Sequence, residues 1–183
     1  VDGIPDTDQA FYVDCDTVLL SVGLIPENEL SKQAGVELNP QTGGALVDST
    51  MMTTVPGIFS CGNVLHVHDL VDFVSEEARR TGEYVVNYLR GKRPAREVRI
   101  KAGANVRYVT PTRFNPDRPG KLYMRSLVVK NHAEVEVKLD NSVIRTARKN
   151  HVQPSEMISV KLRDKDIEGT RFTDDSVLEV SIK

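Results

Sequence analysis

The spacing of apolar residues changes midway along the chain, and this change limits the fold more than any other feature. Between residues 71 and 88, apolar and small residues recur at steps of three and four, which predicts an amphipathic helix. From about residue 104, apolar residues alternate with polar ones, as at Val135, Val137 and Leu139, which predicts strands with one buried face. We therefore expect an α/β first half, followed by a mainly antiparallel β domain that forms a sandwich or a small barrel.

The first half carries the pattern of short strands and helices. The nearly continuous apolar run at 16–23 predicts a strand buried on both faces, and residues 27–34 predict a short helix that Gly35 ends. A turn-rich stretch at 39–44 predicts a hairpin between the short runs on either side of it, and residues 58–61 predict another short buried strand.

The long helix has an apolar and a charged side. Its predicted apolar face comprises Val71, Val74, Ala78, Thr81, Val85 and Tyr88, and its charged side comprises Glu76, Glu77, Arg79, Arg80 and Glu83. Asp69 or Asp72 is the expected N-cap, and Gly91 the expected stop.

The second half predicts about six strands and no helix. They lie at 106–109, 122–129, 135–139, 142–148, 158–162 and 178–182, with a turn at Asp140-Asn141. The basic connector at 90–99 is the expected boundary, which gives domains at 1–95 and 96–183.

Charge is divided unevenly along the chain, although the net charge is only −2. Residues 1–89 carry 3 Lys/Arg and 14 Asp/Glu, whereas residues 90–150 carry 16 Lys/Arg and 5 Asp/Glu. The basic stretch is either a docking face for an acidic partner or a face that meets the acidic half or another segment, and we favour the second interpretation. Nucleic acid fits poorly because Tyr108, Phe114 and Tyr123 are too few and too scattered to form a stacking platform.

No apolar run reaches the roughly 20 residues that span a bilayer, and the acidic start of the chain is unlike a signal peptide, so we expect a cytoplasmic protein. Cys15 and Cys61 could pair, but buried free thiols are favoured in a reducing compartment. Because the chain starts without methionine just before a predicted strand, we expect it to be a fragment.

Two segments place a glycine directly after a short apolar run. In TVLLSVGLIPE at 17–27, Gly23 follows an apolar strand and permits close passage beside a backbone or cofactor. In TTVPGIFSCGN at 53–63, a short strand leads into Gly62 and Asn63. This second run resembles an FAD fingerprint of the pyridine nucleotide-disulfide oxidoreductase family (thioredoxin reductase and NADH oxidase-like proteins), T-x-x-x-G-I-x-x-x-G-D. Asn63 stands where that family usually has Asp, so a charge-assisted bond to the cofactor is replaced by a neutral one.

The resemblance implies a site for FAD and a role for the long helix. It implies that Gly62 and Asn63 hold the ribityl chain, and that the helix start at Val71, Asp72 and Phe73 points toward the flavin ring, where Asp72 would cap the helix or turn away. NAD(P)H would be the co-substrate that transfers a hydride to the flavin and on to an acceptor.

Part of such a reductase is missing from the sequence, because no G-x-G-x-x-G loop occurs in residues 1–183. We therefore expect an inactive C-terminal piece. Its expected partners are the absent FAD/NAD(P) portion, a second copy of the chain covering Val74, Val85 and Tyr88, and a partner flavoprotein subunit. The alternative is a non-enzymatic β module that docks a partner through basic residues: Arg107, Arg113, Arg118, Lys121, Arg125 and Lys130.

His66 and His68 precede the long helix as an i, i+2 pair. They either lie near the flavin or a substrate, or belong to a polar loop, and the loop is the favoured interpretation. Because no third ligand is close in sequence, a metal site is not expected.

Overall fold

The computed structural model describes residues 7–21, 23–93, 96–118 and 120–183. In the first half, α1 spans Glu29–Gln33 and α2 spans Val71–Leu89, with 3₁₀ turns at Thr7–Gln9 and Gly62–Val64. In the second half, the strands are β1 Val98–Ala102, β2 Val106–Thr110, β3 Arg113–Phe114, β4 Lys121–Ser126, β5 Lys130–Leu139, β6 Ser142–Val152, β7 Met157–Lys161 and β8 Val177–Ile182, and α3 spans Asp164–Ile167 between β7 and β8.

Residues 36–65 form a small core held by single β-bridges rather than long strands. Bridges join Leu38 to Ala45, Val47 to Thr53, and Met52 to Phe59. The first of these is the base of the predicted hairpin, and the third is all that forms of the strand predicted at 58–61. The buried apolar residues of this core are Val36, Ala45, Val47, Met51 and Leu65.

The predicted buried strand at 16–23 is wrong. Residues 17–21 are not in a strand, Leu19 and Leu20 are 92% and 82% exposed, and Val22 lies outside the described residues. No described strand pairs with this run, so its apolar side chains have no sheet in which to be buried. Cys15 in the same region is exposed and unpaired, which corrects the expectation of two buried thiols, and Cys61 is half-buried and also free.

The bounds of α2 agree with the prediction, and its buried face agrees in part, because Thr81 is buried and Val74, Val85 and Tyr88 are half-buried. Glu77 and Thr81 are the buried residues of the helix, whereas Val71 and Ala78, predicted to face inward, are exposed. Gly91, with φ +75°, follows the helix as the predicted stop. The N-cap is Leu70, which provides no side-chain hydrogen bond, so the prediction of Asp69 or Asp72 is wrong.

The second half contains two sheets, with strand orders β3-β1-β8-β5-β6 and β2-β4-β7. Most pairs are antiparallel, as predicted, and Asp140-Asn141 is the turn between β5 and β6. Three features differ from prediction: β1 and β3 are additional strands, α3 is a short helix, and β1 runs parallel to β8. The described strands do not close into a barrel. Both sheets contribute to one hydrophobic core, which includes Val98, Val137 and Leu178 from the larger sheet and Leu122 and Val160 from the smaller one.

Hydrogen bonds and ion pairs join the two halves. Thr112 N–H donates to Val47 O at 3.0 Å, and Asn115 N–H donates to Ser49 Oγ at 2.9 Å. Lys121 pairs with Glu76 at 2.6 Å. The basic stretch therefore meets the acidic half at these points, in agreement with the favoured interpretation of the charge pattern. The division at residue 95 stays a prediction, since residues 94 and 95 lie outside the described residues.

Across the described ranges, no helix combines the length and the apolar character that a bilayer crossing requires.

Candidate functional site

Gly62 and Asn63 form a tight turn against the first part of α2. Gly62 has φ +73°, and a Cβ placed on it would lie 3.2 Å from Val74 Cγ1. The left-handed backbone and the nearby helix therefore both favour glycine here. Asn63 is exposed, and its Oδ1 accepts the N–H of His68 at 3.1 Å. Because an amide oxygen has two lone pairs, Asn63 retains an acceptor site toward solvent.

The start of α2 lies open beside this turn. Leu70 and Val71 are 55% and 74% exposed, and no side chain caps the first turn. Asp72 is exposed and does not cap the helix, which excludes one of the two roles expected for it. Phe73 is half-buried beneath Lys121, whose Nζ lies 4.9 Å from the ring centre. The N–H groups at an uncapped helix start favour negative charge nearby.

Gly23 is the predicted site residue with the weakest structural connection to the others. Its φ of +108° suits glycine, but no atom beyond its chain neighbours lies within 4 Å of an added Cβ. The close passage expected of Gly23 therefore has no partner within the described part of the chain.

The least expected feature is a buried cluster of His66, His68 and Glu77. His66 Nε2 lies 3.1 Å from Glu77 Oε1, and His68 Nε2 lies 3.2 Å from Glu77 Oε2. Gly62 N–H donates to the same Oε2 at 2.6 Å. His66 and Glu77 are fully buried, and His68 is 7% exposed. Glu77 thus binds the glycine turn and both imidazoles to α2.

The electrostatics of the cluster make Glu77 anionic and His66 neutral near pH 7. Burial alone would raise the pKa of Glu77, but hydrogen bonds from His66 and His68, together with that from Gly62, lower its pKa to about 2. Burial lowers the pKa of His66, against the opposing influence of Glu77. A neutral His66 that donates its Nε2–H to the Glu77 carboxylate is consistent with the lowered pKa of Glu77 and with the lowered pKa of His66.

Aromatic rings and the β-rich half cover the cluster. The Tyr123 ring centre, on β4, lies 5.3 Å from that of His66 and 5.2 Å from that of His68. Burial raises the pKa of Tyr123, and its hydroxyl has no hydrogen-bond partner within the described residues. Arg125, further along β4, pairs with Asp69 at 2.6 Å and donates to Val67 O at 3.1 Å. Since Asp69 binds Arg125, its carboxylate is not used as the predicted N-cap.

Sequence reasoning misses Glu77 because it places this residue on the charged side of α2. The face that is buried in the structure follows Val74, Glu77, Thr81 and Tyr88 at helical steps, and a carboxylate within such a stripe indicates a buried partner. The His pair lies in a loop, in agreement with the favoured interpretation, but both imidazoles are buried and hydrogen-bonded to Glu77. Glu77 lies 11 residues after His66 and 9 residues after His68. A search for a third metal ligand among the immediate sequence neighbours of the histidines therefore misses it.

Three of the six basic residues considered for partner docking bind within the chain. Lys121 pairs with Glu76, Arg125 with Asp69, and Arg113 with Glu97. These ion pairs neutralise part of the positive charge that an acidic partner would bind.

Comparison with known proteins finds a family match within the first half. Residues 4–87, just under half of the chain, match the sequence model of the pyridine nucleotide-disulphide oxidoreductase family. The match includes the 17–27 and 53–63 segments and nearly all of α2, and ends before β1. No solved structure matches the chain. The match supports an oxidoreductase-type domain in residues 4–87, in agreement with the family predicted from the two glycine-containing segments.

Proposed function

We propose that the first half is part of an FAD-dependent NAD(P)H oxidoreductase, in which the turn at Gly62-Asn63 and the start of α2 hold the ribityl and ring end of a flavin. One observation carries the proposal: the glycine turn lies against the start of α2, and Asn63, Leu70 and Val71 are exposed beside it. This surface lies in the segment that matches the family. The chemistry that a flavin supplies when bound is acceptance of a hydride from NAD(P)H and its delivery to an acceptor.

Each residue has a distinct part in the proposed site. Gly62 allows the turn to lie close against α2, because its backbone is left-handed and any Cβ would meet Val74. The free lone pair of Asn63 Oδ1 accepts a ribityl hydroxyl proton, while its other lone pair remains with His68 N–H. The uncapped N–H groups at Val71 and Asp72 favour negative charge on a reduced ring. The exposed Asp72 carboxylate opposes this effect when it points the same way.

The site is proposed to be incomplete in this chain. Loops of the G-x-G-x-x-G type bind the pyrophosphates of FAD and NAD(P)H, and none occurs in residues 1–183. A second polypeptide segment would supply them, so the chain alone should not turn over NAD(P)H.

The test is a titration of the ¹⁵N-labelled chain with riboflavin, FMN and FAD, followed by NMR. We expect the amide resonances of Gly62, Asn63 and Val71 to shift. The three affinities should agree within a few-fold, because the chain contacts only the part that the ligands share. Shifts confined to other residues would contradict the proposed site. An FAD affinity far above that of riboflavin would show that the chain also contacts the part of FAD that riboflavin lacks, which would contradict the proposal of an incomplete site.

A substitution at Asn63 sharpens the test. Asn63→Asp introduces a charged acceptor, and since charge-assisted hydrogen bonds are about twice as strong as neutral ones, flavin affinity should rise about fivefold. Asn150→Asp, at an exposed position on β6, is the matched control and should leave the affinity unchanged. Equal effects of the two variants would indicate non-specific binding.

A further inference from the structure

We propose that His66, His68 and Glu77 form a binding site for one divalent transition-metal ion, with Zn²⁺ and Co²⁺ as its probes. Two imidazoles and one carboxylate are the donor set of many three-ligand zinc sites that leave a fourth position open. Imidazole nitrogen also suits Co²⁺, Ni²⁺ and Fe²⁺. This proposal does not depend on flavin binding.

The distances within the cluster fit an ion of this size. One ligand atom from each residue can be chosen so that all three lie within 4.8 Å of one another. Two of the separations, His66 Nε2 to Glu77 Oε1 and His68 Nε2 to Glu77 Oε2, are 3.1 and 3.2 Å. Ligands at about 2.1 Å from a tetrahedral ion lie about 3.4 Å apart. The two separations that involve Glu77 are therefore within about 0.3 Å of those expected around a bound ion.

Charge also favours a cation at this position. The Glu77 carboxylate is fully buried, between two imidazoles and a backbone N–H. A buried carboxylate is costly unless it is paired with a cation or coordinates a metal. The described residues that contact Glu77 side-chain oxygens are His66, His68 and Gly62, which include neither Lys nor Arg.

The surroundings of the cluster limit the expected affinity. The Nδ1 atoms of His66 and His68 have no hydrogen-bond partner within the described part of the chain. Metal-binding histidines usually donate this N–H to an acceptor, and loss of such a partner weakens binding by about 10- to 100-fold. We therefore expect a micromolar site. A bound ion would fix the loop that contains Gly62 against α2, beneath the ring of Tyr123.

The chain contains four histidines, which permits a direct test. His132 and His151 are exposed. In the double variant His132→Asn/His151→Gln, the only imidazoles left are those of the cluster, so their ¹⁵N resonances need no assignment. Adding Zn²⁺ to this chelator-treated protein should shift both sets of resonances at one equivalent. The thermal midpoint should rise by about 5–10 °C at a hundredfold excess over the dissociation constant.

The converse variant is His66→Ala/His68→Ala, which should bind Zn²⁺ at least 100-fold more weakly and lose the visible absorption of bound Co²⁺. If that variant fails to fold, the NMR titration above still decides the question. Unshifted imidazole resonances, or Zn²⁺ binding that disappears with His132 and His151 but not with His66 and His68, would overturn the proposal. In either case the cluster would be a hydrogen-bonded network alone.

Discussion

The free energy that Glu77 contributes to folding can be tested by replacing it with glutamine. The structure lowers the Glu77 pKa from 4.5 to about 2, so the fold prefers the ionised group over the neutral one by about 3 kcal/mol, at about 1.4 kcal/mol per pKa unit. Glutamine has nearly the shape of the neutral acid. We therefore expect Glu77→Gln to lower the free energy of unfolding by about 3 kcal/mol at pH 7.

The direction of the Glu77 pKa shift determines the pH at which unfolding should be measured. Because the folded-state pKa is depressed, the stabilisation is complete above the unfolded value of 4.5 and is lost as the pH falls toward 2. Urea unfolding at pH 7 therefore records all of it. The chain has no tryptophan, so far-UV circular dichroism is the appropriate probe. With an m-value of about 2 kcal/mol/M, the midpoint should fall by about 1.5 M urea.

Glu83→Gln is the matched control, since Glu83 is exposed on the same helix and should change stability by less than about 0.5 kcal/mol. Both variants should be measured after chelator treatment, so that metal binding does not contribute. If Glu77→Gln is as mild as Glu83→Gln, the carboxylate is not held in its charged form by the two histidines and the Gly62 turn.

Two further predictions concern the packing of the first half and the junction with the second. Gly44→Ala should destabilise the fold by more than about 2 kcal/mol, because the new Cβ would lie 1.6 Å from the carbonyl oxygen of Leu65. Gly82→Ala, in open space on α2, should instead stabilise the fold by about 0.5–1 kcal/mol. Urea unfolding measures the effect of both variants. If Gly44→Ala is tolerated, the close contact between Gly44 and Leu65 is refuted. A double-mutant cycle with Arg125→Ala and Asp69→Ala should give a coupling energy of about 1 kcal/mol for this partly exposed pair, and a value near zero would show that the ion pair does not join the halves.

Regular periodicity accounts for what can be predicted from the sequence. The length of α2, its glycine stop and the alternating strands of the second half follow from local spacing, and the structure contains each of them. The turn at Gly62-Asn63 is also located from the sequence, because a glycine directly after a short apolar run favours a turn with a left-handed backbone.

The remaining features depend on contacts that no local pattern contains. Glu77 is buried because two histidines from a preceding loop and the N–H of Gly62 satisfy its oxygens, so helical amphipathicity places it on the wrong side. The run at 16–23 has the composition of a central strand, but a strand needs neighbours, and no described strand pairs with it. The parallel pairing of β1 with β8 likewise joins segments about 80 residues apart, a separation beyond the reach of pattern reasoning.

The open run around Leu19 and Leu20 has a practical consequence for handling the protein. Each of these side chains would release about 2 kcal/mol on leaving water, and the backbone beside them is available for pairing with a neighbouring molecule. Solution behaviour should therefore vary with concentration. Dilute samples should elute as one species, whereas concentrated stocks should associate and eventually precipitate unless Leu19 and Leu20 are replaced by charged residues.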